Sequence, residues 1–295
     1  MLRSPKKTPP TPSMEESLLS SVPAEWAGPL MVMLVSFMVF AVMWLALAKR
    51  PTSSRIAKEK KLHRASDDPY SFYDPASGQS HRFFKAELAT RIVSTIHALL
   101  VCYGAAMGLY THRNMFQDML WATSPIVRFW YSVSMAYFLG DILLCVVMFR
   151  EYGFMFTFHG ICAFAAVSII CLGNMFHFFG CIGFLWEFST IFLNLRWFML
   201  EYGYKETLAF KLNGIALVVF FFIFRIFIGC PYSFIFWTQL SSARAEGKIS
   251  GGVYLTMSLM LGGVNSLNIF WGKKLFDGLV RLFRKWGSPE AIKEP

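Results

Sequence analysis

The sequence predicts an all-α membrane protein, a polytopic helical bundle of about seven transmembrane helices. Of its 295 residues, 55% are apolar and only 16% are charged, whereas soluble domains have about a quarter of their residues charged. Seven apolar stretches reach or approach the roughly 20 residues that a spanning helix needs. Strands of a membrane β-barrel are about ten residues long and alternate in polarity, so helices are favoured. A soluble nucleic-acid-binding domain is excluded, since its basic residues would cover a hydrated face.

The seven predicted spans follow one another along the chain and carry few charged residues. They cover residues 29–48, 92–110, 129–149, 154–172, 176–195, 212–230 and 252–271. Only Gly173, Asn174 and Met175 separate the fourth span from the fifth, which predicts a tight helical hairpin or one broken unit.

The lysines and arginines divide unevenly between the segments that connect these spans. If the spans alternate in direction, 20 Lys and Arg residues lie on one side and seven on the other, while Arg225 lies within a span. Basic loops face the cytosol in membrane proteins. We therefore expect a lumenal or outside N-terminus and a cytosolic C-terminus, and the net charge of +10 reports this topology.

The segments outside the spans differ in composition. Residues 1–28 are rich in Pro, Ser and Glu and are expected to be a disordered tail; 29–48 form the first transmembrane helix and 49–85 a basic cytosolic loop. Residues 86–271 then form a six-helix membrane domain. The C-terminal segment 272–295 is basic, and over 273–286 its apolar residues fall on one helical stripe, which predicts an interfacial helix on the anionic cytosolic leaflet.

Ionisable residues inside the spans are the candidate functional residues, since charge in a bilayer is costly and usually marks function. His97, Asp141, His159 and Glu187 come from four different spans. Counted at 1.5 Å per residue from the predicted cytosolic ends, they lie roughly 8 to 12 Å deep, and Arg225 roughly 20 Å. This predicts a polar cavity open to the cytosol. Alternatively, His97 hydrogen bonds a neighbouring helix and Arg225 is a structural counter-ion of Glu187.

Other kinds of site lack their sequence patterns. No HExxH or HxxxH spacing accompanies the histidines, so no metal is expected. There is no GxxxxGK[ST] or GxGxxG loop for phosphates and no GxSxG nucleophile turn. All six cysteines lie in the predicted spans and read as small apolar residues. His177 falls near the opposite face from the predicted cavity.

Several segments resemble the TLC domain of membrane proteins. The matching segments are RIVSTIHALLV (91–101), SMAYFLGDILL (134–144), FTFHG (156–160), LWEFSTIFLNLRWFM (185–199) and FFIFRIFI (221–228). Residues 86 to about 239 are thus similar to the smaller TLC domain-containing proteins rather than to the ceramide synthases. The resemblance implies a six-helix TLC-type bundle and work on membrane lipids, in the endoplasmic reticulum or another endomembrane.

The resemblance departs from the ceramide synthases at their histidines. Those enzymes use an adjacent His-His pair and a later His-Asp. Here the first histidine matches His159, but Gly160 takes the second position, and Trp186-Glu187 stands where His-Asp is expected. This argues against the ceramide synthase mechanism without excluding another transfer reaction.

Three hypotheses about function follow. The first is a protein of membrane lipid homeostasis that binds a lipid or acyl chain in the cavity, without a cofactor. The second is an acyl-CoA-dependent N-acyltransferase in which His159 is the base and Asp141 or Glu187 orients it. The third is a proton-coupled carrier.

The predicted lipid-binding residues, which include the arginine of the EFST-x-F-x-N-x-RW motif, are His97, Asp141, His159, Glu187, Arg196 and Arg225. Partners are membrane lipids and the anionic leaflet; the oligomeric state is open.

Overall fold

All regular structure in the described part of the chain is helical, as the composition predicts. The computed structural model describes residues 23–48 and 81–286, the last without the side chains of 81–85 and 282–286. Within these ranges, seven helical segments are long and apolar enough to cross a membrane. Most of the predicted N-terminal tail, the basic loop up to residue 80 and residues 287–295 of the C-terminal segment lie outside the described residues.

Nine α-helices make up the seven segments of the described ranges. They are α1 (Ala24–Ala48), α2 (His81–Thr111), α3 (Pro125–Val147), α4 (Phe149–Gly173), α5 (His177–Leu185), α6 (Phe188–Glu201), α7 (Leu208–Phe221), α8 (Cys230–Ala245) and α9 (Gly251–Trp286). A 3₁₀-helix, Arg113–Phe116, follows α2, and a π-helix, Phe222–Gly229, joins α7 to α8. The fifth segment is α5 with α6, and the sixth is α7 with α8.

The predicted tight connection between the fourth and fifth spans is observed, since only three residues separate α4 from α5, but the two helices contact each other little. Asn174 (φ 48°) ends α4 and Phe176 (φ 64°) precedes α5, both in the left-handed region. Asn tolerates this conformation better than most residues. Phe176 is fully buried and its N–H donates to the carbonyl of Leu120, so packing and a backbone hydrogen bond hold its unusual conformation.

The last two segments are longer than predicted. The sixth has 38 residues, roughly 57 Å at 1.5 Å per residue, against about 30 Å for a hydrocarbon core. The predicted interfacial helix 273–286 is not separate, because α9 continues through it without a break. Part of the apolar stripe of residues 273–286 packs on the bundle instead of facing a leaflet. Leu275 is 1% exposed and packs with Leu217 and Phe221, and Leu279 packs against the same cluster.

Helix α1 lies on the outside of the bundle. None of its residues is buried, and it packs against α2 and α3. The indole N–H of Trp44 donates to Thr90 Oγ1 at 3.0 Å. By contrast, α3 and α4 pack closely along their lengths. Helices α2 to α9 form the bundle. We call the end of the bundle at which α2 begins and α3 ends the basic end, because Arg150, Lys205 and Lys273 lie there.

Candidate functional site: two adjacent cavities in the bundle

Two cavities of different polarity lie next to each other inside the bundle. The apolar cavity lies between α3, α4, α5, α8 and α9, and aliphatic and aromatic side chains line most of it. The polar cavity lies between α2, α3, α4, α6, α7, the π-helix and α9. Phe138, His159 and Glu187 line both cavities. These three residues therefore lie at the boundary between the two cavities, which we call the junction.

The two cavities occupy opposite halves of the bundle. The polar cavity reaches Arg91 near the start of α2 and Cys145 near the end of α3, so it extends toward the basic end. The apolar cavity reaches Ile170 near the end of α4 and Met257 near the start of α9, so it extends toward the other end.

Glu187 and Arg225 form a buried ion pair at one wall of the junction. Glu187 lies at the break between α5 and α6, and Arg225 lies on the π-helix, a rare helical form that is frequent at functional sites. Arg225 Nη2 is 3.5 Å from Glu187 Oε1, and Thr190 Oγ1 donates to Glu187 Oε2 at 3.0 Å. Arg225 also donates to the Trp186 carbonyl and, through Nη1, to Asn268 Oδ1. Arg225 is thus a structural counter-ion of Glu187.

Asp141 and His159 have no such partners. No described residue forms a hydrogen bond or ion pair with the Asp141 carboxylate, which lines the polar cavity. His159 likewise has no hydrogen bond within the described ranges, and its Nδ1 is buried. Its ring packs edge-on against Trp271 at a centroid distance of 5.6 Å. Neither Asp141 nor Glu187 orients His159 through a hydrogen bond, as the acyltransferase hypothesis requires.

Gly160 occupies a close contact between α4 and α3. A Cβ at this position would lie 3.2 Å from both Asp141 Oδ2 and Ile142 Cγ1, tighter than ordinary van der Waals contact. A side chain at this position therefore requires the side chains of Asp141 and Ile142 to shift by a few tenths of an ångström.

Two of the predicted cavity residues line neither cavity. His97 is fully buried between α2 and α3, where Nε2 lies 3.1 Å from Ser134 Oγ and the ring stacks on Tyr137 at 3.8 Å. This position of His97 agrees with the alternative stated above, in which His97 hydrogen bonds a neighbouring helix. Arg196 is also buried, with its guanidinium 4.0 Å from the ring centroid of Phe210 on α7. Both lie in helix contacts.

His177 lies at the other end of the bundle from the polar cavity, as its position in the sequence predicts. Its Nδ1 accepts a hydrogen bond from the Ser124 N–H at 2.9 Å, which ties the start of α5 to the start of α3.

Across residues 23–48 and 81–286, no group of three or more metal-ligating His, Cys, Asp or Glu side chains occurs.

Sequence reasoning missed a second buried ion pair at the polar cavity. Arg91 Nη2 lies 3.0 Å from Glu87 Oε1, and Arg91 Nη1 donates to Asn194 Oδ1 at 3.1 Å. Asn194 in turn donates to Thr95 Oγ1 at 3.0 Å. The hydropathy pattern placed Arg91 after the basic loop but just before the second span. The i,i+4 spacing of Glu87 and Arg91 was the signal that a helix already begins before them.

A lateral groove beside α1 leads to the same region. It lies between α1, α2 and α3, with Phe37, Phe40 and Trp44 on the α1 side. The groove shares three lining residues with the polar cavity, namely Thr90, Tyr137 and Asp141.

The comparisons with known proteins agree with this architecture. Residues 87–277 match the family model described as TLC domain. The chain is 29% identical over 202 residues to TLC domain-containing protein 4-B of Xenopus laevis, covering 67% of this chain and 76% of that one. It is 27% identical over 204 residues to human TLC domain-containing protein 4, covering 67% and 76%.

A yeast relative matches a shorter part of the chain. Topoisomerase I damage affected protein 4 of Saccharomyces cerevisiae is 30% identical over 166 residues, covering 54% of this chain and 56% of that protein. No solved structure matches the chain. Because the family match spans about two thirds of the sequence and includes every helix around the two cavities, the chain belongs to the TLC domain family.

Proposed function

We propose that this protein binds one membrane lipid inside the bundle and acts in membrane lipid homeostasis. The headgroup occupies the polar cavity, and an acyl chain occupies the apolar cavity. The observation that carries this proposal is the junction at Phe138, His159 and Glu187, which line both spaces. An amphipathic ligand needs a site whose polarity changes along its length, as it does across this junction.

The orientation of the site follows from the distribution of charge. The basic end, toward which the polar cavity extends, is the side with 20 of the 28 Lys and Arg residues if the spans alternate. The positive-inside rule then places the basic end, and the headgroup, at the cytosolic side of an endomembrane. The endoplasmic reticulum is the compartment that we propose.

The experiment fills the apolar cavity and compares the co-purifying lipids by mass spectrometry. Gly183 lines that cavity, and a Cβ there meets no atom within 4 Å, so Gly183→Leu adds bulk without a backbone clash. The matched control is Gly262→Leu on α9, where a Cβ also meets nothing and the residue is exposed. We expect the wild-type protein and Gly262→Leu to retain a defined lipid that Gly183→Leu loses. An identical set of lipids in all three proteins would refute the proposal.

Acyl transfer is a second candidate, favoured by the unpartnered His159 imidazole at the junction. A general base must reach the proton that it removes, and this ring forms no hydrogen bond to another side chain in the described ranges. The test is acyl transfer from acyl-CoA to a long-chain amine by the purified protein. Activity that His159→Ala abolishes and His97→Ala leaves intact would establish it. Absence of transfer with a retained lipid would leave binding as the function.

A further inference from the structure

We propose that the bound lipid carries a positively charged amine and that Asp141 binds its ammonium group. This inference rests on the proposed function and adds the chemical class of the ligand.

Among the described residues, the charged side chains around the polar cavity pair off, with one exception. Glu187 pairs with Arg225, and Arg91 pairs with Glu87. Asp141 remains, with no hydrogen bond or ion pair to any described residue. A carboxylate within a spanning segment is costly unless a partner compensates it. Both arginines already pair with acidic residues, whereas the Asp141 carboxylate has no cationic partner. The cavity therefore favours a cationic ligand over an anionic one.

The surroundings of Asp141 also suit an ammonium group. Tyr137, Phe138, Phe156 and Trp271 line the same cavity, and aromatic faces attract ammonium and quaternary ammonium groups. An ammonium group donates charge-assisted hydrogen bonds to a carboxylate, and such bonds are about twice as strong as neutral ones. The carboxylate and the rings together therefore recognise an amine through two independent attractions.

A lipid can reach Asp141 from the side of the bundle. Asp141 and Tyr137 line both the polar cavity and the groove beside α1. The groove is otherwise apolar, with Phe37, Phe40 and Leu144 among its lining residues. A membrane lipid thus moves its headgroup toward Asp141 along the groove while its chain stays in contact with apolar side chains.

The test uses three C18 probes that differ in headgroup charge. Radiolabelled octadecylamine, octadecanol and octadecanoate are each bound to the full-length protein in nanodiscs at pH 7, where an alkyl amine is cationic because its pKa is near that of lysine, about 10.4. Binding to Gly183→Leu, whose side chain fills the apolar cavity, gives the background. We expect the wild type to bind the amine at least about tenfold more tightly than the alcohol, with the octadecanoate weakest.

Two substitutions separate charge from shape. Asp141→Asn keeps the size of the side chain and removes its charge, so the amine loses its advantage and binds within about twofold of the alcohol. Asp141→Glu retains the charge and the preference. If Asp141→Asn does not fold, the wild-type preference for the amine over the alcohol decides the question alone.

The outcomes distinguish the two proposals. If the alcohol binds the wild type as tightly as the amine, or if Asp141→Asn retains the preference, the inference about Asp141 is overturned while lipid binding stands. If no probe binds above the Gly183→Leu background, the proposed function fails and this inference fails with it.

Discussion

Replacing Arg225 by Met should destabilise the protein by about 4.5 kcal/mol. Arg225 donates to the Trp186 carbonyl at 3.0 Å, to Ser189 Oγ at 3.1 Å and to Asn268 Oδ1 at 3.1 Å. Hydrogen bonds to a charged group contribute roughly 1.5 kcal/mol each at the low end of their range, which gives about 4.5 kcal/mol for three. Removing one member of a buried ion pair typically costs about 3–5 kcal/mol, because the other charge, here Glu187, is left unpaired.

The assay is equilibrium unfolding in mixed micelles, with Arg225→Met, Glu187→Gln and the double variant. Because each single variant leaves a buried partner uncompensated, the double variant should be more stable than the sum of the two losses predicts, by about 0.5–3 kcal/mol. Lys205→Met is the control, since Lys205 is exposed between α6 and α7. Additive losses within about 0.5 kcal/mol, or a loss below about 1 kcal/mol for Arg225→Met, would refute the reasoning.

Two further substitutions test packing and the position of α1 by the same unfolding measurement. Gly180→Ala should lower the free energy of unfolding by about 1–3 kcal/mol or more, because a Cβ at Gly180 would overlap the hydroxyl of Tyr131. The control is Gly262→Ala, where a Cβ lies in open space and stability should not fall. Equal losses of stability in the two variants would contradict the contact between Gly180 and Tyr131. Trp44→Phe removes the hydrogen bond to Thr90 and should cost about 1 kcal/mol; no change would show that this bond does not hold α1 in place.

The sequence alone was enough to predict the membrane helices. Length and hydropathy suffice for this, because a spanning helix satisfies its backbone groups within itself and needs about 20 apolar residues. Pairing of Glu187 with Arg225, 38 positions apart, was one of two alternatives for Arg225, because two opposite charges within spans are costly unless they meet. The sequence also predicted the tight three-residue connection between the fourth and fifth spans.

The ends of the spans were harder to predict. Arg91 and Glu87 precede the apolar run of the second span, so hydropathy placed them outside the span. In the fold they lie inside α2, where Asn194 and each other's charges compensate for their burial. Likewise, the basic stretch after residue 271 continues α9, since Leu275 packs on the bundle. Hydropathy averages over a window and does not register such partners.

The sequence by itself therefore determined the class of protein, the number of spans and the scarcity of charge within them. Only the tertiary structure decided which polar residues share a cavity. Depth along a helix can be counted from sequence, but the direction in which a side chain points depends on how the helices rotate and pack against one another. That rotation buries His97 against Ser134 and Arg196 against Phe210. It leaves Asp141 and His159 facing the polar cavity, where a ligand can reach them.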